Sequence, residues 1–231
     1  KYAIERGWWH GDATRLTACL GDIPETREKA WLRVDEARAL LEHLDMDAFG
    51  MAVRMALLAG MRAGEVTSRQ WSDVDFSSGM IFIGPKQTRT WSWKTKSGRK
   101  RWVPMNADLR DALRRWYLKQ GRPDDNAWVI PTSDNQRRST LGWFRRKLQV
   151  ACDAAGVRRC SFHGLRHTFT ALSIEAGVPV FEVSKILGHH SVEFTTRAYG
   201  HVDDRRLSAA VDQLGLSLKG RPNGQAEGGH G

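Results

Sequence analysis

Several cationic, imidazole and phenol side chains in this sequence are of the types that act on a phosphodiester bond. Guanidinium groups bind the non-bridging oxygens, on which negative charge gathers at a five-coordinate phosphorus. A lysine can protonate a leaving alkoxide, and an imidazole can accept the proton of a tyrosine hydroxyl, whose ordinary pKa is about 10. Together these groups suit a metal-free transesterification with a tyrosine nucleophile. The candidates, in chain order, are Arg62, Lys96, His163, Arg166, His189 and Tyr199.

Each candidate also has an ordinary structural explanation when it is taken alone. Arg62 could cap a helix at the surface, Lys96 could lie at a solvated hairpin tip, and Tyr199 could be a packing residue. His163 and Arg166 are three residues apart, which places them on one face of a helix, where a structural histidine is common. The combination carries the argument, because every group type that the reaction needs occurs in one chain.

The sequence is strongly basic, with 36 lysines and arginines against 26 aspartates and glutamates and a net charge of +10. A surface with this charge attracts polyanions, so nucleic acid is the first partner to consider and an anionic membrane the second. No apolar stretch approaches the roughly 20 residues that span a bilayer. The three cysteines form no CxxC pair, which is typical of a protein in a reducing compartment.

Basic residues concentrate in two segments. Residues 86–101 contain seven of them and no acidic residue, with tryptophans interleaved, and residues 145–147 are all basic. A charged hairpin fits contacts to a phosphate backbone, although such a run is also typical of a solvated face. The predicted DNA-binding residues are Lys86, Arg89, Lys94, Arg99, Lys100, Arg101, Arg145, Arg146 and Lys147.

Helical periodicity dominates the sequence and a segment with a shorter period interrupts it. Three β-branched and aromatic runs, residues 71–76, 80–84 and 101–104, predict short strands. N-capping residues, glycines and a proline mark the helix ends. We therefore expect a mainly α fold with a small antiparallel three-stranded sheet (α+β). The helices are predicted from an N-cap at Asp35, over 48–61, from Asn106 to Gly121, over 139–155 and 163–176, from Pro179 to Gly188, and over 194–198 and 203–214.

Four short motifs contain the candidate residues in a characteristic order. They are Gly60-Met-Arg-Ala-Gly-Glu65, Thr95-Lys-Ser-Gly98 before Val103-Pro104, His163-Gly-Leu-Arg-His167, and Leu187-Gly-His189 with Tyr199 ten residues further on. In content and order these motifs resemble those of the tyrosine recombinase (phage integrase) family, over Leu32 to Leu214. The resemblance implies a site-specific recombinase of a phage or mobile element. Such an enzyme cleaves and rejoins double-stranded DNA through a 3′-phosphotyrosyl intermediate and uses no cofactor and no metal.

The resemblance also implies a role for each motif residue. It assigns phosphate binding to Arg62 and Arg166, the general acid to Lys96, the general base to His163, a phosphate hydrogen bond to His189, the nucleophile to Tyr199 and a supporting role to Glu65. His167 is interpreted as a structural neighbour, and His190 and His201 as bystanders. Two alternatives stay open: His190, nine residues before the tyrosine, could replace His189, and Lys94 or Lys100 could replace Lys96.

The same resemblance predicts the layout of the chain. Residues 1–28 resemble the last helix and linker of an upstream core-binding domain, and residues 29–218 are expected to form the catalytic domain. Residues 219–231 are Gly-rich and polar, and this composition predicts a disordered tail. Residues 203–214 resemble a helix that docks onto a neighbouring protomer, which implies a homotetramer on DNA, although this segment could also pack onto its own domain. A cytoplasmic, nucleoid-associated protein of a bacterium or phage is expected.

Two other functions share part of this evidence. A type IB topoisomerase would use the same set of side chains, but the Leu187-Gly-His189 motif and the helix after Tyr199 favour a recombinase. A DNA-binding domain with an inactive site would need none of the reactive groups, and the completeness of the set argues against it. Zinc binding is disfavoured because no fourth ligand with suitable spacing accompanies the histidines.

Overall fold

Helices make up most of the part of the chain that the computed structural model describes, residues 31–87, 92–94, 100–131 and 141–188. All of these residues belong to one of the two units into which the chain divides. A small antiparallel sheet lies between the early and late helices in sequence. The predicted mainly α fold with a three-stranded sheet is confirmed.

The first two described helices are α1 (Val34–His43) and α2 (Ala48–Ala59). The prediction that Asp35 is the N-cap of α1 is wrong: Arg33 takes that position, because its backbone N–H donates to the Glu36 carboxylate at 2.7 Å. The Asp47 carboxylate caps α2 by accepting from the N–H of Gly50 at 2.7 Å. Nine of the twelve residues of α2 are buried, as its apolar composition predicts.

The middle of the described chain contains short elements and the sheet. These are helix α3 (Ala63–Val66), a 3₁₀ helix (Trp71–Asp73), and strands β1 (Val74–Asp75), β2 (Met80–Ile83), β3 (Lys86–Gln87), β4 (Ser92–Trp93) and β5 (Arg101–Pro104). The main sheet has the order β1-β2-β5, with Ile83 opposite Arg101, and β3 pairs with β4. The predicted strand 71–76 is wrong in its first half, which forms the 3₁₀ turn because the N–H groups of Trp71 and Ser72 donate to carbonyls of residues 125–127. Asp73 caps this turn by accepting the N–H of Gln70 at 3.0 Å.

The remaining described helices are α4 (Ala107–Lys119), α5 (Leu141–Ala154), α6 (Phe162–Glu175) and α7 (Val180–Leu187). Asn106 caps α4 and Ser161 caps α6, each accepting a backbone N–H at 2.9 Å. Gly188 ends α7 in the left-handed conformation, at φ 66°. These bounds agree closely with the predicted ones, whereas the helices predicted over 194–198 and 203–214 lie outside the described residues.

Helix α2 packs against both α6 and α4, and α7 packs against β5. The core includes Met55 on α2, Leu113 on α4, Phe144 on α5 and Leu165 on α6, all almost completely buried. Each such side chain contributes about 1.5–3 kcal/mol through the removal of apolar surface from water. This packing brings the C-terminal end of α2, the first turns of α6, the end of α7 and the start of β5 together. None of the described helices is long and apolar enough to cross a membrane.

Candidate active site

Two of the predicted phosphate-binding residues meet where α2 packs on α6. Arg62 follows the C-cap of α2 at Gly60 and is itself the N-cap of α3. Arg166 lies on α6, and its Nη1 donates to the carbonyl oxygen of Gly60 at 2.7 Å. The two arginines are 104 positions apart in sequence (166 − 62), so only the packing of α2 on α6 brings them to one place.

The Glu65 carboxylate holds this region together. Its Oε1 accepts from Arg62 Nη1 at 3.0 Å and from Arg101 Nη1 at 2.9 Å. Its Oε2 accepts from the backbone N–H of Arg62 at 2.9 Å and from Arg101 Nη2 at 2.8 Å. Arg166 Nη1 is 4.0 Å from the same oxygen. The side chain is 1% exposed, so these charge-assisted bonds form away from water.

The electrostatics of Glu65 follow from these partners. Burial by itself raises the pKa of the Glu65 carboxyl, because the charged form loses its hydration. The hydrogen bonds and charge of Arg101, the backbone N–H of Arg62 and the charge of Arg166 outweigh burial, and the pKa lies below its ordinary 4.5. Glu65 is therefore a fixed anion at neutral pH, suited to orient guanidinium groups and unsuited to transfer protons.

The C-terminal end of α7 is bound by the same arginines. The carbonyl oxygen of Leu187 accepts from Arg166 Nη2 at 2.7 Å and from Arg62 Nη1 at 3.4 Å. The last carbonyls of a helix have no partner within the helix and lie at the negative end of its dipole, so cations stabilise them. The chain leaves α7 at Gly188, directly before the predicted phosphate-binding His189.

An open cleft of about 860 Å³ lies over this cluster. Arg62, Arg145, His163 and Arg166 are among the residues that line it. His163 is in the first turn of α6, and its ring centroid is 4.5 Å from that of His167, with the two rings nearly perpendicular. The cleft thus presents arginine and imidazole groups in one concave surface, an arrangement that can bind an oxyanion.

The predicted DNA-binding residues that the structure describes divide into two groups. Those exposed to solvent are Lys94, Lys100, Arg145, Arg146 and Lys147. Lys86 and Arg101 do not lie on the expected solvent-facing strip. Lys86 Nζ is 2.8 Å from the Asp73 carboxylate and its side chain is 16% exposed. The Arg101 side chain is 9% exposed and pairs with Glu65. Both cations are paired within the protein, because the strands that carry them pack against its acidic residues.

Five other candidates lie outside the described residues. They are Lys96, His189, Tyr199, Arg89 and Arg99. The alternative His190 is also outside them, whereas Lys94 and Lys100, the alternatives to Lys96, are described and exposed. The roles of all these residues remain predictions.

Arg69 is a structural residue that no sequence motif indicated. It is completely buried and donates from Nη1 to the carbonyl of Phe82 at 2.8 Å and from Nη2 to that of Gly84 at 3.1 Å. Its Nε donates to the carbonyl of Glu65 at 3.1 Å, and Asp73 pairs with it at 3.4 Å. Arg69 thereby joins the α3 segment to β2. The one available sequence signal was its spacing of four residues from both Glu65 and Asp73.

A metal site does not form among the described residues, since no three His, Cys, Asp or Glu side chains in ranges 31–87, 92–94, 100–131 and 141–188 come together in a suitable group. Cys152 and Cys160, whose Sγ atoms are 3.8 Å apart, are free thiols.

Known proteins with similar sequences include integrases and tyrosine recombinases. The integrase of the element ICEBs1 from Bacillus subtilis (strain 168) is 27% identical over 211 residues, which cover 83% of this chain and 56% of the relative. The tyrosine recombinase XerC of Pseudomonas fluorescens (strain Pf0-1) is 29% identical over 216 residues, which cover 88% of this chain and 65% of the relative. This chain therefore spans between about half and two thirds of the length of these relatives.

A solved structure of the Tn1549 transposon integrase, in complex with transposon right end DNA, has the same fold. Its TM-score is 0.68 at 23% identity, with 87% of this chain and 70% of the other covered. The sequence model of the phage integrase family matches residues 30–206, well over half of the chain and all of the elements described above. The order of the motifs, the fold and this match together show that the chain belongs to the phage integrase family.

Proposed function

We propose that this chain is the catalytic part of a site-specific DNA recombinase. It cleaves and rejoins DNA strands through a 3′-phosphotyrosyl bond at Tyr199, in the integration or excision of a phage or mobile element. The observation that carries the proposal is that Arg62, Arg166 and His163 line one open cleft. The buried Glu65 carboxylate accepts a hydrogen bond from Arg62 and so orients its guanidinium. Guanidinium groups in this arrangement match the oxygens of a phosphodiester.

In the proposed reaction, the Tyr199 oxygen attacks the scissile phosphorus. A bond forms between that oxygen and phosphorus, and the bond from phosphorus to the 5′ oxygen breaks. His163 accepts the phenol proton, and Lys96 donates a proton to the 5′ oxygen, which leaves as a hydroxyl. The 5′-hydroxyl of another strand then attacks the phosphotyrosine and reverses these steps. The phosphotyrosine conserves the phosphodiester bond, so no nucleotide cofactor is consumed.

The charge at phosphorus is balanced by protein cations in this proposal. Arg62 and Arg166 bind the non-bridging oxygens, and His189 adds a hydrogen bond from the segment after α7. The fixed anion Glu65 keeps Arg62 oriented without taking part in proton transfer. Cationic stabilisation in a site closed by DNA is the dominant contribution in chemistry of this kind.

Double-stranded DNA is the proposed substrate. The net charge of +10 and the exposed cations support this, because each neutralised phosphate releases counterions. One of these cations, Arg145, lines the cleft. The proposed contacts are Lys94, Arg99, Lys100, Arg89 and residues 145–147. The DNA in the Tn1549 integrase complex supports the same assignment by similarity of fold.

The proposed assembly is a homotetramer on DNA, with residues 203–214 docking onto a neighbouring protomer. We further propose that residues 1–28 belong to a DNA-binding domain that lies upstream in a longer protein. The relatives are longer than this chain, which supports that proposal. The protein would act on DNA in the cytoplasm of a bacterium.

A covalent-adduct assay tests the function. The chain is mixed with a nicked duplex that carries the recombination site of its element, so that the strand released by cleavage diffuses away and the adduct accumulates. We expect a protein–DNA adduct that resists denaturation, with the phosphotyrosine mapped to Tyr199 by mass spectrometry. Tyr199→Phe should bind the duplex and form no adduct.

Other results would contradict the proposal in different ways. DNA binding without an adduct would indicate a non-catalytic binding domain, and an adduct from Tyr199→Phe would show that the nucleophile is another residue. Relaxation of supercoils without strand exchange between two duplexes would indicate a topoisomerase. The tetramer is tested separately by the mass of the DNA complex with and without residues 203–214.

A further inference from the structure

Arg101 is the first residue of β5, the strand that follows the segment containing the proposed general acid Lys96. In the sheet it lies opposite Ile83, the last residue of β2. Its backbone is therefore fixed by strand pairing, while its side chain extends from the sheet toward α3 and the end of α7.

The Arg101 guanidinium makes two sets of contacts at once. Nη1 and Nη2 donate to the two oxygens of Glu65 at 2.9 and 2.8 Å, which is a bidentate pair. Nε donates to the carbonyl oxygen of Ile186, in the last turn of α7, at 2.7 Å. One planar group thus sets the distance between Glu65 and the end of α7.

Both contacts lead to the proposed phosphate-binding residues. Glu65 also accepts two hydrogen bonds from Arg62, so the position of Arg62 depends on the carboxylate that Arg101 orients. The neighbouring carbonyl of α7, at Leu187, accepts from Arg166 and Arg62. Within the described part of the chain, three guanidinium groups therefore share the last turn of α7.

The start of the segment after α7 is also shaped by Arg101. A Cβ atom added to Gly188 would lie 3.1 Å from both Cδ and Nη1 of Arg101. The glycine has φ 66°, and the next residue is His189. Arg101 thus packs against the residue at which the chain turns out of α7.

The burial and pairing of Arg101 argue against the direct DNA contact predicted from the sequence. Its side chain is 9% exposed, and its donors are directed to Glu65 and Ile186. A guanidinium in this setting differs from a lysine, because one ammonium group cannot bind both carboxylate oxygens and a carbonyl in the same plane.

We propose that Arg101 is a positioning residue of the DNA-cleavage reaction, whose guanidinium fixes Glu65 against the end of α7 and thereby aligns Arg62 and Arg166. This inference rests on the proposed function. Arg101 touches neither the phosphate nor the leaving group. A small displacement of the residues that it holds lowers the cleavage rate, because misplacement by about 1 Å can cost on the order of 100-fold.

The test compares Arg101→Lys and Arg101→Gln with the wild-type chain in the adduct assay. We expect the first-order rate of adduct formation at saturating protein to fall by about 10- to 100-fold in both variants. The dissociation constant for intact duplex should stay within about twofold of the wild type, because Arg101 does not contact DNA. The lysine variant keeps the positive charge, and its rate alone tests the positioning role if the glutamine variant does not fold.

The pH profile separates positioning from a loss of stability. The Arg101 charge lowers the pKa of Glu65, so its removal lets Glu65 take up a proton at higher pH. The acid limb of the rate profile should therefore move to higher pH in Arg101→Gln and move less in Arg101→Lys. A purely structural role would lower the yield of folded protein without moving this limb.

Arg54 provides a matched control. It is also an arginine that holds helix-end carbonyls, since its Nη2 donates to the carbonyls of Leu41 and Leu44 at 3.1 and 2.9 Å, but it does not contact Glu65. Arg54→Gln should lower the melting temperature and leave the acid limb in place. The inference would be overturned if Arg101→Gln and Arg54→Gln showed the same loss of rate and the same position of the acid limb.

Two further results distinguish this inference from the proposed function. Wild-type adduct formation together with unchanged rates in the Arg101 variants would overturn the positioning role alone. A rate loss fully explained by weaker DNA binding would also overturn the positioning role, and it would indicate that Arg101 contacts DNA directly. A wild-type chain that forms no adduct on its own site would overturn the proposed function and this inference together.

Discussion

Substitution of Glu65 by glutamine tests how much the ion pairs of Glu65 with Arg62 and Arg101 contribute to the free energy of unfolding. Glutamine keeps the shape of the side chain but replaces one acceptor oxygen with an amino group, which would face guanidinium donors. Glu65 is 1% exposed and Arg101 is 9% exposed, so the substitution leaves a buried cation without its anion. Breaking a buried ion pair by removing one partner costs about 3–5 kcal/mol.

The assay is urea and thermal unfolding of the wild-type and Glu65→Gln chains at pH 7. In a domain of this size, each kcal/mol lowers the melting temperature by about 2–4 °C. The expected decrease is therefore about 6 to 20 °C. A retained fold can be checked by far-UV circular dichroism below the transition.

Glu36→Gln is the matched control, because Glu36 also pairs with an arginine at 2.8 Å, here Arg158. The Arg158 side chain is 39% exposed, and exposed pairs contribute at most about 1 kcal/mol. We expect Glu36→Gln to lower the free energy of unfolding by no more than about 1 kcal/mol. If Glu65→Gln were no more destabilising than Glu36→Gln, the reasoning that burial makes the Glu65 cluster essential would be refuted.

Three further predictions concern pH, packing and DNA. The pKa of Glu65 is lower in the folded protein than its ordinary 4.5, so the stability that its charge contributes is fully present above that value and is lost as pH falls through the folded pKa. The difference in unfolding free energy between wild type and Glu65→Gln should therefore shrink between pH 7 and pH 3, and a constant difference would contradict this. Gly60→Ala should destabilise the fold by about 1–3 kcal/mol more than Gly79→Ala in urea unfolding. Both glycines have positive φ, but a Cβ at Gly60 would lie 2.5 Å from the Phe169 ring and one at Gly79 would meet nothing within 4 Å, so equal losses would count against the packing. Arg145→Ala should reduce the slope of log binding constant against log salt concentration by about 1, as expected for one lost phosphate contact, and an unchanged slope would remove this residue from the DNA interface.

Much of the local structure was predictable because its causes lie within a few residues of each other. Asn106 caps α4 as expected, and Gly188 ends α7 in a conformation that glycine adopts without strain. The apolar run of residues 48–61 indicates the buried helix α2. In the candidate site, Arg62 and Glu65 belong to one motif, and their pairing across one helical turn follows from their spacing of three residues.

Local patterns failed where a distant partner decided the outcome. The aromatic and β-branched composition of residues 71–76 predicted a strand. The backbone N–H groups of Trp71 and Ser72 instead donate to the carbonyls of Ala127 and Asp125, and the first half of this segment is a 3₁₀ turn. The basic run from 86 to 101 predicted an exposed strip. Lys86 and Arg101 are instead paired with Asp73 and Glu65 inside the protein.

The sequence by itself determined the family motifs, their order, the helix ends and the types of side chain at the candidate site. Only the tertiary structure decided that Arg101 binds Glu65 from 36 positions away and Ile186 from 85 positions away, and that Arg62 and Arg166 share the Leu187 carbonyl. The physical reason is that a buried charge needs a partner at hydrogen-bonding distance, and the partner is supplied by whichever helix or strand packs beside it. Spacing along the chain encodes neighbours within a helical turn, whereas the packing of α2, α6, α7 and β5 determines neighbours in the cluster.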